Sequence, residues 1–549
     1  SLAFDVPAER RPETATLTVA LRPSLALTLV DALPYLVQYP YGCTEQTVSR
    51  FAPAAVVART LREAGGLTLK EVLAKRAALP KAHEQGAGRE AAGDFDLDDV
   101  IRAGLARLRS LQHADGGFGW WRDDDSSPYM TAYALQGLLI ARDADVAVDD
   151  GLISGATRFL KDALPRERDL ETAAFVACVA AKAGAADRDV LRKIYDDRDK
   201  LGLYGRALLA SGLKAAGMDV EAGKVVAAFA DFAEEDASNG TAHWGTNDGR
   251  WWRWWNSRIE TNAAILHAYL DVAPEDRRVP SLVKWIALNR RGNRWTNTRD
   301  TAHCVFALVR YARSSGELDP DYELNVSVNG EPRPPVRVTR ANLFDVPDLS
   351  LAGAAVPGGT TTVTLRLRGR GRCYAAGEAS FFTREPDIAA SGRELLVERA
   401  YLRVTPTRRA ETRDGVETVV ADDAFEPLSP GAALNAGDVV EVRLIVEAKN
   451  DYEHLLFEDM KPAGFEPLEV RSGGRYANGI CSNVEFRDRK TALFATWLEQ
   501  GRHVIAYRLR AELPGTLRAA PARGEAMYAP DVGGTSSSFR FTVQDARER

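Results

Sequence analysis

The pattern of apolar and polar positions changes character twice along the chain. Polar Thr14, Thr16 and Thr18 alternate with apolar Ala15, Leu17 and Val19, so residues 14–21 have the period of a half-buried strand. Ser24 then stands as a helix cap before Leu25-Ala26-Leu27-Thr28-Leu29-Val30. From there to about residue 316, Ala-rich apolar stripes recur at helical spacing between short Gly- or Pro-marked breaks. The polar, Gly/Ala-rich stretch 75–97 predicts a loop within this helical part. After Ser314-Ser315-Gly316 the period drops to two. Residues 324–328 alternate and run into Asn329-Gly330, a hairpin turn pair, and residues 361–368 alternate cleanly. Further strands are predicted between residues 399 and 545, including 439–446.

The helical part carries a loose internal repeat. Gly116-Gly117-Phe118-Gly119-Trp120-Trp121 precedes a small-residue helix at Thr131-Ala132-Tyr133-Ala134-Leu135. Residues 249–255, with four tryptophans, precede Thr261-Asn262-Ala263-Ala264, and Gly292-Asn293-Arg294-Trp295 precedes Thr301-Ala302-His303-Cys304. Stacked helical hairpins closing into a ring produce this rhythm, with each Trp wedged into a turn, so an α/α toroid is expected. The β region is long enough for two sandwiches divided near residue 390. The strand at 14–21 has no β partner nearby in sequence. Its expected place is the first sandwich, which makes the toroid an insertion in a β domain.

Length and charge narrow the class. A chain of 549 residues exceeds one core, and 45% hydrophobic with 27% charged residues is a globular balance. A formal charge of −6 offers no basic patch for nucleic acid, and no apolar run has membrane-spanning length. The start lacks both a signal-peptide pattern and an initiator Met, so the chain reads as a piece of something longer. Its five cysteines are far apart without CxxC pairs, so neither a zinc site nor another metal or cofactor is expected. Cys178 and Cys304 lie in Ala-rich apolar segments and read as buried residues, while the disulfide state of these two, Cys373 and Cys481 stays open. Asp123-Asp124-Asp125 reads as a solvated loop, and the Trp-rich run as turn wedges.

The chemistry concentrates at Tyr39-Pro40-Tyr41-Gly42-Cys43-Thr44-Glu45-Gln46-Thr47. Cys43 places a thiol three residues before the side-chain amide of Gln46, at the start of a helix. Condensation of the two with loss of ammonia gives an internal thioester, an acylating agent made from the chain itself. Gly42 is expected to allow the tight bend. The helix N-terminus is expected to favour the Cys43 thiolate. Glu45 reads as a charge at the helix N-terminus rather than a base. Such a bond needs protection from water, for which Tyr35, Tyr39, Tyr41 and Phe51 are nearby candidates. A bare Cys-x-x-Gln also occurs by chance, so an α/α-toroid enzyme with an incidental CxxQ is an alternative, although no carboxylate constellation for one is identifiable.

The segment Tyr39–Phe51 resembles the thioester segment of bacterial members of the α2-macroglobulin and complement family. Residues 111–121 and 129–133 resemble segments of the same family's thioester domain, and residues 458–466 and 525–531 its final, receptor-binding-like domain. The resemblance implies a multidomain α and β fold: residues 1–22 and 317–389 as the two parts of a CUB-like sandwich, 23–316 as the inserted toroid, and 390–549 as a macroglobulin-like β-sandwich. It implies the C-terminal part of a longer protein, whose upstream macroglobulin domains and bait region are not in this chain. It also implies that Met527 and Tyr528 of the last domain cover the thioester. In hydroxyl-directed members a toroid His first takes the acyl group. The corresponding stretch, residues 166–172, contains no His, which predicts direct attack by lysine amines. The implied function is covalent, single-turnover trapping of proteases after bait cleavage, in a periplasmic or cell-envelope setting. The alternative is a thioester that tags cell surfaces, as an opsonin or adhesin does.

Overall fold

The computed structural model describes residues 1–38, 42–78, 95–237, 239–245, 257–291, 294–385, 387–413, 416–469, 471–477, 480–527 and 529–545. The chain forms two compact units, one from residues up to Phe382 and one from Thr383 onward. No helix among the described residues is long and apolar enough to cross a membrane.

Six helices make the inner wall of the first unit: Thr44–Glu63, Pro128–Asp143, Leu170–Lys182, Leu203–Ala215, Arg258–Val272 and Thr298–Ser314. Each packs on the next, and the last packs on the first, so they close a ring. Their composition explains the position. Leu170–Lys182 is buried without interruption from Ala173 to Ala181, because small residues let neighbours approach on every side. Gly137 lies against Val48, and Gly104 of the neighbouring helix Leu97–Leu111 against Phe51, so closely that an added Cβ would stand 2.5 and 2.4 Å from those side chains. Outer helices such as Asp150–Ala163 instead bury one stripe, here Leu152, Ile153, Ala156 and Leu160. Short polar side chains start many of the helices: Asp96, Ser127, Asp149, Asp169, Ser257 and Asn297 each accept a first-turn amide.

The internal repeat has a physical basis that differs in detail from the expected Trp wedge. Phe118 and Trp295 are fully buried, and their backbone amides donate to Thr131 Oγ1 at 2.8 Å and Thr301 Oγ1 at 3.0 Å in the helices that follow. Trp244 donates likewise to Asn262 Oδ1 at 2.9 Å. In the first repeat the wedge is therefore Phe118, while Trp120 and Trp121 are 39% and 51% exposed. The tryptophans at 251–255 lie outside the described residues, as does most of the loop expected at 75–97. A two-stranded hairpin, Ala233–Asp236 with Thr241–Trp244, interrupts a stretch expected to be helical throughout. Asn262 holds its last residue at both backbone groups, with Nδ2 donating to the Trp244 carbonyl at 2.9 Å.

The strand Thr16–Arg22 pairs antiparallel with Tyr374–Ser380 on one side and Leu349–Ala352 on the other. Leu2–Val6 pairs with Gly359–Arg370, which also pairs with Asp321–Val328. The whole helical stretch thus lies in sequence between a strand and its partners. Buried Glu317 fastens both ends of that stretch to the sheet. Its Oε2 accepts from Ser24 Oγ and the Leu25 amide at 3.1 Å each, and its Oε1 accepts from Tyr374 Oη at 2.5 Å.

The second unit pairs Leu395–Arg413 with Val439–Ala448, and Val439–Ala448 with Gly501–Ala511. Another sheet is built around Tyr452–Met460 and Lys490–Leu498. A buried pair joins the two sheets: Arg399 Nη1 donates to Asp459 Oδ1 at 2.5 Å, and Tyr507 Oη donates to Asp459 Oδ2 at 2.6 Å.

Candidate functional site

Cys43 is the N-cap of the inner helix Thr44–Glu63, with extended backbone at φ −68° and ψ 172°. Its sulfur accepts from the backbone amide of Gln46, and the Gln46 side chain turns back to the Cys43 amide, Oε1 accepting at 3.5 Å. This is a reciprocal N-terminal cap in which sulfur replaces the usual hydroxyl oxygen. It brings the thiol and the side-chain amide of Gln46 onto the same turn. Pro53 inside the helix marks no break, and the helix runs on to Glu63.

Three attachments fix the turn. The Thr44 amide donates to the Trp120 carbonyl at 2.9 Å and its hydroxyl to the same oxygen at 3.3 Å. Trp120 is in turn held by Asp124, whose Oδ2 accepts from the Trp120 and Trp121 amides at 2.8 and 3.1 Å. Arg107 donates to the Gly42 carbonyl from Nε at 3.3 Å and Nη2 at 3.2 Å. Inside the ring, Glu45 Oε1 accepts from Ser49 Oγ at 2.7 Å and Thr298 Oγ1 at 3.2 Å. Ser49 Oγ also lies 2.8 Å from Tyr133 Oη. The side chains of three inner helices therefore meet at Glu45.

Two readings of this turn change and one stands. Gly42 has no left-handed φ, and an added Cβ there would meet only Arg107 Nε, at an ordinary 3.7 Å. Its role is to offer a carbonyl to Arg107. The Cys43 thiol is buried, and burial pushes its pKa up. The Gln46 amide pulls the other way and the Glu45 charge adds to the rise, so the net direction is toward the protonated thiol. Glu45 stands in the first turn, as a charge at the helix N-terminus should, and its carboxylate bonds inward to side chains.

The expected shield resolves unevenly. Phe51 is fully buried in the ring core against Gly104. Tyr35 is half-buried with the Arg294 guanidinium 5.1 Å from its ring centre. Tyr39, Tyr41 and Tyr528 lie outside the described residues. Met527 is 44% exposed at the end of the strand Arg523–Ala526 in the second unit, its amide donating to the His454 carbonyl at 2.9 Å. In the stretch 166–172, Asp169 caps the next helix and buried Glu171 accepts from the Gly202 amide at 2.6 Å. Of the ring histidines, His243 and His303 are buried and His267 is half-buried. His243 stacks on Trp285, and burial pushes His267 well below the ordinary range. Burial, with the Arg299 charge, lowers His303 to about 3. Arg299 pairs with Glu260 deep in the ring, and Tyr204 Oη donates to Glu260 Oε1 at 2.8 Å. Arg107 and Thr298 carry no local sequence signal, and Ser49, Trp120 and Tyr133 stand out only as members of longer resembling segments. Their place at the site comes from the ring.

Residues 20–165 match the model of the A-macroglobulin TED domain, and residues 402–531 that of the bacterial alpha-2-macroglobulin MG10 domain. An alpha-2-macroglobulin of Thermotoga maritima is 32% identical over 131 residues, 24% of this chain and 7% of that protein. One of Xylella fastidiosa (strain Temecula1) is 25% identical over 567 residues, 95% of this chain and 30% of that protein. The solved structure of trypsin-activated alpha-2-macroglobulin from Escherichia coli is similar at 19% identity and a TM-score of 0.49, over 99% of this chain and 35% of that one. The chain thus spans about three tenths of the length of the Xylella relative. With both domain models and the two sequence relatives from Thermotoga and Xylella in agreement, the chain belongs to the bacterial alpha-2-macroglobulin family.

Proposed function

We propose that Cys43 and Gln46 form an internal thioester with which the protein acylates a lysine of an attacking protease. The observation that carries this reading is the reciprocal cap: the thiol and the Gln46 amide group occupy one turn, at a helix N-terminus whose Gln46 amide already donates to the sulfur. Formation joins Cys43 Sγ to Gln46 Cδ and releases the side-chain nitrogen as ammonia. In the acylation step an amine nitrogen adds to Gln46 Cδ, the C–S bond breaks, and a proton from that nitrogen ends on the Cys43 sulfur. The raised Cys43 pKa agrees with a sulfur that leaves protonated. Each molecule reacts once, so the protein acts as an inhibitor rather than an enzyme. Bait cleavage in upstream domains is proposed as the trigger, a periplasmic or cell-envelope setting as the place, and amines rather than hydroxyls as the acceptors.

The test is to mix the full-length protein containing this segment with trypsin and digest any complex that survives denaturation. Peptide mapping is expected to join Gln46 to a protease lysine through an amide bond, with no such product from C43A. Complexes that dissociate on denaturation would contradict covalent trapping.

A further inference from the structure

Glu45 is a buried carboxylate one residue from the acyl donor, and its surroundings are hydroxyls. Among the described residues, both hydrogen bonds at its side chain fall on Oε1, from Ser49 and Thr298. Among the described residues, no Lys, Arg or His nitrogen stands within ion-pair distance of it. The nearby ring cation, Arg299, is engaged by Glu260. A carboxylate removed from water is costly unless a cation joins it. Its charge reaches the reacting sulfur, since it contributes to the raised Cys43 pKa. Gln46, next along the turn, is only half-buried, so the turn is open to solvent on that side.

We propose that Glu45 is the receiving group for the cationic nucleophile: it draws the protonated amine to the turn and accepts the proton that the amine must lose before attack. This rests on the thioester reading and adds a substrate preference to it. A primary amine arrives as R–NH3⁺ and transfers one proton to the Glu45 carboxylate, and the freed lone pair adds to Gln46 Cδ. The C–S bond then breaks, a second proton passes from nitrogen to the Cys43 sulfur, and the amide remains. Glu45 returns its proton to solvent, so the net products are amide, thiol and one proton. Ser49 and Thr298 fix Oε1, which leaves Oε2 as the oxygen for the ammonium. The preference for cations then arises from a charge built into the ring.

The experiment compares methylamine, a cation at pH 7.5, with hydroxylamine, which is neutral there, as nucleophiles on the wild type and E45Q. Incorporation at Gln46 is followed by intact mass. The mass before treatment, short by one ammonia, first establishes that each protein holds the bond. A wild type without that deficit overturns the thioester reading itself, and this proposal with it. With the bond present, E45Q is expected to take up methylamine about a hundredfold or more slowly, the typical scale for a lost proton acceptor, while hydroxylamine uptake changes less than about twofold. Equal slowing of both, or of neither, overturns the proposal. Should E45Q fail to form the bond, the wild type decides. Tetramethylammonium, at constant ionic strength, is expected to slow methylamine uptake but not hydroxylamine uptake, and an equal effect on both rejects the role of Glu45.

Discussion

The backbone amide of Thr44 donates to the carbonyl of Trp120 at 2.9 Å, so a loop 76 residues away holds the first turn of the Cys43 helix. The loop is set in turn by Asp124, which accepts the Trp120 and Trp121 amides. Replacing Asp124 by Ala leaves both amides without that acceptor. The expected result is an unfolding free energy lower by about 1–3 kcal/mol, the scale of lost hydrogen bonds to a charged group. Denaturant titration of D124A measures it, and an unchanged midpoint would show that the loop is held by other means.

The Ser49 hydroxyl connects two inner helices through Glu45 and Tyr133. S49A removes the shared group and strands two buried partners, with an expected cost of about 1–3 kcal/mol. Y133F removes one end of the same chain. Because the two changes act on one network, the double variant is expected to lose less than the sum of the singles. Strict additivity in a double-mutant cycle would rule the network out.

Much of this site was legible because it is local. Cys43 and Gln46 are three residues apart, and the reciprocal cap depends only on the helix starting where the spacing places it. The partners that fix the turn are remote: Trp120 is 76 residues from Thr44, and Thr298 is 253 from Glu45. Only closure of the ring brings them there, and periodicity carries no register for that closure. The repeat was legible as rhythm, but its most prominent tryptophans misled. Trp120 and Trp121 are exposed, while the plainer Phe118 fills the wedge because its amide meets Thr131. Gly42 reads as conformational in the sequence, but in the fold it offers its carbonyl as the acceptor for Arg107, a difference set by a helix 65 residues away.

The ring's close packing has its own test. A Cβ on Gly104 would stand 2.4 Å from Phe51 Cβ, and neither helix can retreat without disturbing the ring. G104A is expected to lose about 1–3 kcal/mol by overpacking, despite the better helix propensity of Ala. Stabilisation in thermal unfolding would contradict the packing described for these two helices.

His303 couples stability to pH. Its pKa is lowered to about 3 in the folded chain, first by burial and then by the Arg299 charge. An unfolded His titrates near 6.5. Between these values the unfolded state binds the extra proton, so the His303 contribution to stability falls as pH drops through about 6.5 toward 3. From pH 7 to 5, H303Q is expected to lose roughly 2 kcal/mol less than the wild type. Parallel pH profiles of the two unfolding free energies would show that His303 titrates normally.

Burial also sets the reactivity of Cys43 once it is a free thiol. Its pKa lies above the ordinary range, and the thiolate is the form that alkylates. After methylamine treatment, iodoacetamide is expected to label Cys43 more slowly than free cysteine at pH 7, with a rate that climbs to a midpoint above that of free cysteine. A midpoint below it would mean that the helix N-terminus dominates over burial.

The most direct measurement is the intact mass and thiol titre of this chain before and after methylamine. The account predicts a mass short by one ammonia before treatment. After treatment it predicts one added methylamine at Gln46 and one new thiol at Cys43. A full mass at the start, with neither methylamine uptake nor a new thiol, would contradict the proposed bond between Cys43 and Gln46.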